Sequence, residues 1–215
     1  MESYAMSSCQ EICEGMQKKL PRELRDKIYE CIIGTDITQQ VHARSPPALQ
    51  GARCSHVCDV KYAGSTFKVE LVETWYRLVC FQIHSPNDIE RFIRRDMWGL
   101  GLHPRHHIHK VTFILSGLGA VRTKNDLGLL YNLPKLVEFK LRSPFGCLDN
   151  YYVAHLVEHM VYCFSYFEHM LTSGTSVYLV ALGNEVRLTK EDLTERRCTE
   201  IWKSMGSVSK MKFVA

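Results

Sequence analysis

The sequence predicts an α/β fold with a mostly parallel sheet, preceded by a separate helical segment. Three observations carry this. Strand-like apolar runs alternate with stretches of helical periodicity four times along the second part of the chain. The strand starts lie about 30, 26 and 40 residues apart, room for a helical crossover between parallel neighbours. At 215 residues, the chain is long enough to bury roughly 70% of its unfolded surface in one core.

Residues 1–17, at the start of the chain, are small and polar and read as a flexible leader or a weak helix. Residues 18–65 read as a helical segment with an irregular loop, and 66–215 as the α/β domain. Within the helical segment, LPRELRDKIYECII (20–33) has a helix signature. Pro21 suits a first helical position, Glu23 lies near the positive end of the dipole, and Gly34 is a natural stop. Leu24, Ile28, Cys31 and Ile32 form one apolar stripe. Ser45-Pro46-Pro47, Gly51 and Gly64 interrupt the chain beyond this helix and leave room for a short helix at 48–58.

Residues 67–78 read as a helix, or as a strand and then a helix. LVCFQIH (78–84) is a strand, Ser85-Pro86-Asn87-Asp88 a cap, and Ile89, Phe92, Ile93 and Met97 the apolar face of the next helix. KVTFILS (110–116), LVEFKLR (136–142) and SVYLVAL (176–182) are the further strands. Helices are predicted over 124–130, 149–171 and 189–202.

Composition narrows the function classes. Hydrophobic residues are 46% and charged residues 23%, a globular balance that excludes a disordered chain, a collagen or a coiled-coil rod. There are 27 Lys and Arg against 23 Asp and Glu, for a formal charge of +4, too mild to imply nucleic acid. The nine Cys are odd in number and scattered, several of them inside apolar runs. That usage fits buried thiols in a reducing compartment. No apolar stretch approaches the ~20 residues of a membrane span, and the N-terminus lacks a signal-peptide core. The expectation is an intracellular protein, cytoplasmic or nuclear, without a membrane segment or cofactor.

The opening LPRELRDKIY resembles the first helix of F-box-like motifs, in particular the LPxELRxxIY start of fungal F-box-like proteins. The resemblance implies a helix whose apolar face docks on the Skp-type adaptor of a cullin–RING ubiquitin ligase. Carried over residue by residue, the partner-binding candidates are Leu20, Pro21, Leu24, Ile28, Tyr29 and Ile32. Leu49, Arg53, Cys54, Val57 and Cys58 stand where the family has a basic, Cys-containing second part. NLPKLVEFKLR (132–142) is similar to the strand opening of a degenerate leucine-rich repeat, so the α/β region is either leucine-rich-repeat-like or an ordinary compact sheet domain. The joint resemblance implies a non-enzymatic protein-interaction module: an F-box-like substrate adaptor that holds a client protein near a ubiquitin-transfer machine. The alternative is a single-domain α/β protein of accessory or regulatory function, with the same helix as its first core helix.

Other motifs point to chemistry. His155-Leu-Val-Glu158-His159 is a literal HxxEH, the pattern of an inverted zinc peptidase. Such an enzyme needs a distal ligand far downstream, and only 56 residues remain after the motif. The zinc hydrolase is the remote alternative, and the polar face of an amphipathic helix the simpler reading. Cys54-Ser-His56-Val-Cys58 has ligand types but needs a second pair, which Cys9 and Cys13 could supply. The densest polar feature is a basic patch at Arg91, Arg94, Arg95, Arg105, His106, His107, His109 and Lys110. It reads as a solvated loop, an acidic-partner surface or, least, a nucleic-acid contact, since few aromatics interleave it. Four His within 103–109 should gain charge near pH 6 and strengthen such binding. Gly99-Leu-Gly101 and Gly117-Leu-Gly119 do not complete a nucleotide-binding loop.

Overall fold

The computed structural model describes residues 2–34, 37–41, 59–115, 128–143 and 150–212. It is mixed α/β. Helix α1 (Glu2–Lys19) and helix α2 (Arg22–Ile33) come first, then strand β1 (Thr38–Gln40). Helices α3 (Val60–Ala63) and α4 (Ser65–Leu78) lead to β2 (Cys80–Ile83), and α5 (Pro86–Arg94) to β3 (Lys110–Ile114). A 3-10 turn at Leu129–Asn132 precedes β4 (Glu138–Arg142). Helices α6 (Asn150–Val161) and α7 (Phe164–Thr172) lead to β5 (Ser176–Ala181), β6 (Asn184–Arg187) and α8 (Glu195–Lys212).

The sheet runs β1-β2-β3-β4-β5-β6 in chain order. The first five strands are parallel and β6 returns antiparallel. Every parallel connection steps the same way, so right-handed crossovers place their helices on one face. Burial agrees. Phe81, Ile83, Val111, Phe113, Phe139, Leu141, Val177 and Leu179 are buried, and they share a core with Trp75, Phe92 and Phe167 from α4, α5 and α7. Phe81 stacks edge-on to Trp75, and Phe139 meets Phe167. A sheet in strict chain order lacks the reversal of strand order that marks a doubly wound domain.

Several expectations change. Of the two readings of the N-terminus, flexible leader or weak helix, residues 2–19 take the helix; α1 buries no residue completely, yet Cys13 and Met16 pack against the core. Among the described residues, those before residue 65 share one core with those after it. Tyr29, Ile33 and Val41 belong to the same core cluster as the sheet, and β1 adds a strand to it. The expected long helix at 149–171 breaks between α6 and α7, where the Cys163 N–H donates to the Met160 carbonyl. The break lets α6 pack on α8, through Trp202 Nε1 to Met160 Sδ at 3.1 Å, while α7 aims Phe167 at the sheet. The expected helix at 189–202 begins as a 3-10 turn (Lys190–Asp192) under a Thr189–Asp192 capping box. The short helix expected at 48–58 and most of that at 124–130 lie outside the described residues.

Candidate functional site

Two-thirds of the F-box-like candidates lie at the surface of α2 and the residues before it. Pro21 is exposed, Leu24 is 52% exposed, and Leu20 and Ile28 are half-buried. Leu24, Ile28 and the exposed Cys31 recur at i, i+4 and i+7, so they share the outward face. Tyr29 departs from the expectation. It is 0% exposed and stacks edge-on to Phe67 at 5.1 Å. Ile32 packs against the core. Tyr29 does not reach a partner while α2 stays in place, because it sits on the side that meets α4, whereas Ile32 is half-buried.

That inner side is polar as well as apolar. Arg25 donates to both oxygens of Glu70, from Nε at 2.9 Å and Nη2 at 2.8 Å. Its Nη1 donates to the Leu20 carbonyl at 2.6 Å, at the end of α1. The Tyr29 hydroxyl donates to Glu70 at 2.7 Å. Arg22 reaches Asp26, Glu70 and Glu73, and Arg77 of α4 returns to Asp26. Burial pushes the Glu70 carboxyl up, but the bonds from Arg25 and Tyr29 and the Arg22 charge outweigh it and hold it below the usual range. Burial, then Glu70, pushes the Tyr29 phenol well above its ordinary value. The Arg and Tyr of the LPxELRxxIY resemblance therefore lock α2 to α4, and its Leu, Pro and Ile remain at the surface.

A second surface has no counterpart among the sequence expectations. The sheet face opposite the core carries Cys80, Gln82, Lys110, Thr112, Glu138, Lys140 and Arg142, which line a depression of about 290 Å³ with Thr38, Val180 and Glu185. Among the described residues no helix covers it. Lys140 sits at its centre, 2.8 Å from Glu185, 3.6 Å from Glu138 and over the Tyr178 ring. Burial lowers the Lys140 ammonium, but Glu185 and Glu138 outweigh it and raise it. The Cys80 thiol is 3.1 Å from the Thr112 hydroxyl and is pushed up by burial, so it is not a ready nucleophile. The sequence signal for this face is the period-2 alternation of EFKLR, whose polar half points to it.

The expected basic patch divides. Arg91, Arg94, Arg95, Arg105 and His106 are exposed around the end of α5 and the 3-10 turn Pro104–His106. Pro104 and Ile108 are buried anchors, and His107 and His109, on either side of Ile108, are half-buried. Lys110 belongs to the sheet face. Burial first, then neighbouring positive charges, lowers both His107 and His109. These two therefore gain charge only below the expected pH, and the acid-strengthened binding expected of four His loses half its basis.

Among the described residues no group of three His, Cys, Asp or Glu is placed to hold a metal. Glu158 is exposed on α6; the side chains of His155 and His159, and all of Cys54, His56 and Cys58, lie outside the described residues. Gly99 and Gly101 adopt φ of 62° and 74° so that the Trp98 and Gly101 N–H groups can donate to Asp96. No helix among the described residues is long and apolar enough to cross a membrane. None of the family models, curated proteins or solved structures compared with the chain matches it.

Proposed function

We propose that the chain is a non-enzymatic protein-interaction module, an F-box-like substrate adaptor with two working surfaces. The outward face of α2 docks a Skp-type adaptor through Leu20, Pro21, Leu24 and Ile28. The helix-free sheet face holds the client. One observation carries the reading: α2 is fixed by Tyr29, Arg25 and Ile33 on its inner side, which leaves Leu24 about half exposed on the other. A helix with an apolar stripe left over after its own fold is satisfied is suited to a partner groove.

Co-expression with a Skp-type adaptor and subsequent affinity purification test it. Wild type is expected to bring the adaptor down in near-equal amount, and Leu24→Glu with Ile28→Glu to lose it while keeping the helical circular dichroism. Wild-type chain without adaptor sinks the reading. The alternative, a free-standing α/β protein, is supported by the burial of Tyr29 and Ile33 in the shared core; it predicts that outcome.

A further inference from the structure

We propose that the cleft between α5 and the Pro104–His106 turn recognises a peptide segment bearing acidic residues beside an apolar one. The cleft encloses about 400 Å³ and is lined by Ile93, Arg94, His103, Arg105 and Leu129. Its shape arises from the local fold. α5 turns Ile89, Phe92 and Ile93 inward, each at most 3% exposed, which places its arginines outward. The buried Pro104 pins the 3-10 turn beside them.

Cations from two separate elements therefore converge on one apolar floor. A helix C-terminus accounts for Arg91 and Arg94 on α5 by itself, because the dipole favours positive charge there. It does not account for Arg105, which comes from a different segment and faces the same cleft. Arg94 pairs with the exposed Glu90 at 3.1 Å, a pair weak enough for a ligand carboxylate to displace. Among the described residues Arg105 bonds through its Nε, to His106 at 3.1 Å, so its fork stays available. Like charges held together around an uncharged floor are complementary to an anion attached to an apolar group. A cleft of this size takes one or two side chains rather than a folded surface. Among the described residues no Phe, Tyr or Trp lines it for base stacking, His103 being its one aromatic ring, and the whole chain carries only +4, which favours an acidic peptide over a nucleic acid. This site is independent of adaptor docking at α2, and its test separates the two.

A display library of random ten-residue peptides, selected on the full chain and counter-selected on Arg94→Gln/Arg105→Gln, is the direct experiment. The expected result is enrichment of sequences with Asp or Glu flanking Leu, Ile or Phe. The best peptide should lose at least tenfold in affinity in the double variant and on raising salt from 50 to 300 mM, and should keep its affinity in Leu24→Glu. An unchanged thermal midpoint confirms that the double variant is folded; if it drops, Arg94→Lys/Arg105→Lys, which retains charge, should restore both midpoint and binding. Enrichment of nothing, enrichment without acidic residues, equal binding to the double variant, or tighter binding of a ten-nucleotide single strand than of the peptide each overturns the proposal.

Discussion

Glu70 is the side chain on which the N-terminal layer turns. It is 8% exposed, on α4, and accepts hydrogen bonds from Arg25 and Tyr29 of α2. Removing one partner of a buried charged cluster leaves the others desolvated and unpaired. Glu70→Gln is therefore expected to cost about 2–3 kcal/mol, and Tyr29→Phe about 1.5 kcal/mol, both read from urea midpoints at pH 7. The same carboxylate sets a pH dependence. Glu70 and Asp26 lie below their ordinary range, because arginines outweigh the upward push of burial. A depressed folded pKa means that stability is fully present above the unfolded value, near 4, and is lost as pH falls through the lower folded value. The urea midpoint should stay level from pH 7 to about 5 and fall below about 4. Glu70→Gln should start lower and fall less. An equal acid slope in that variant would remove Glu70 from the account. A different residue offers a gain. Leu182 and Gly183 join β5 to β6 with φ of 53° and 77°, a two-residue loop that suits Asn-Gly. Leu182→Asn should raise stability by about 0.5–1 kcal/mol by relieving a left-handed leucine, measured by thermal melting.

At the scale of elements, α2 shows how a helix can be located correctly and its faces only partly read. The Leu-Pro start, the i, i+4 spacing and Gly34 place it within two residues. The apolar spacing marks Leu24, Ile28, Cys31 and Ile32 as one stripe, of which Leu24 and Cys31 are exposed and Ile32 packs against the core. The packed side also uses Tyr29 and Ile33 with Arg25, and an Arg becomes an interior residue only because Glu70 waits on another helix. That pairing spans 45 residues, so no local pattern announces it. The division of the long helix into α6 and α7 is equally hidden. No Gly or Pro marks Tyr162-Cys163; the break arises because its two halves pack on different neighbours. By contrast, β2 to β5 are legible, since a buried parallel strand writes its inner face as every second apolar residue. β1, three residues of Thr-Gln-Gln, has no such mark. The two faces of α2 lead to a prediction at this scale. Leu24→Ala should change stability by under about 0.5 kcal/mol, as a surface substitution does. Ile33→Ala should cost about 2–4 kcal/mol, as a core truncation does. Equal costs in urea denaturation would mean that the faces are assigned wrongly.

For the whole molecule, the decisive property is that one core reaches from Tyr29 to Met205. The sequence suggests a division near residue 65 because breakers cluster at 45–64, and breakers record only that a regular element stops. They carry no information on whether the chain returns to the same core, and here it does: β1 pairs with β2 and α2 packs on α4. The sheet-face site is hidden for the same reason, since it is assembled from alternate residues of six strands that only the chain-order register brings into rows. A single core implies a single unfolding unit. The three tryptophans test this well, because Trp75 and Trp98 lie in the first half, 5.6 Å apart, and Trp202 lies on α8. In Trp202→Phe, fluorescence reports only the first half, whereas far-ultraviolet circular dichroism reports every helix. The two urea transitions of that variant should coincide in midpoint and slope. A fluorescence transition displaced from the dichroism would show that α2, α4 and β2 unfold apart from the C-terminal strands, and the helical layer would then be a module in its own right.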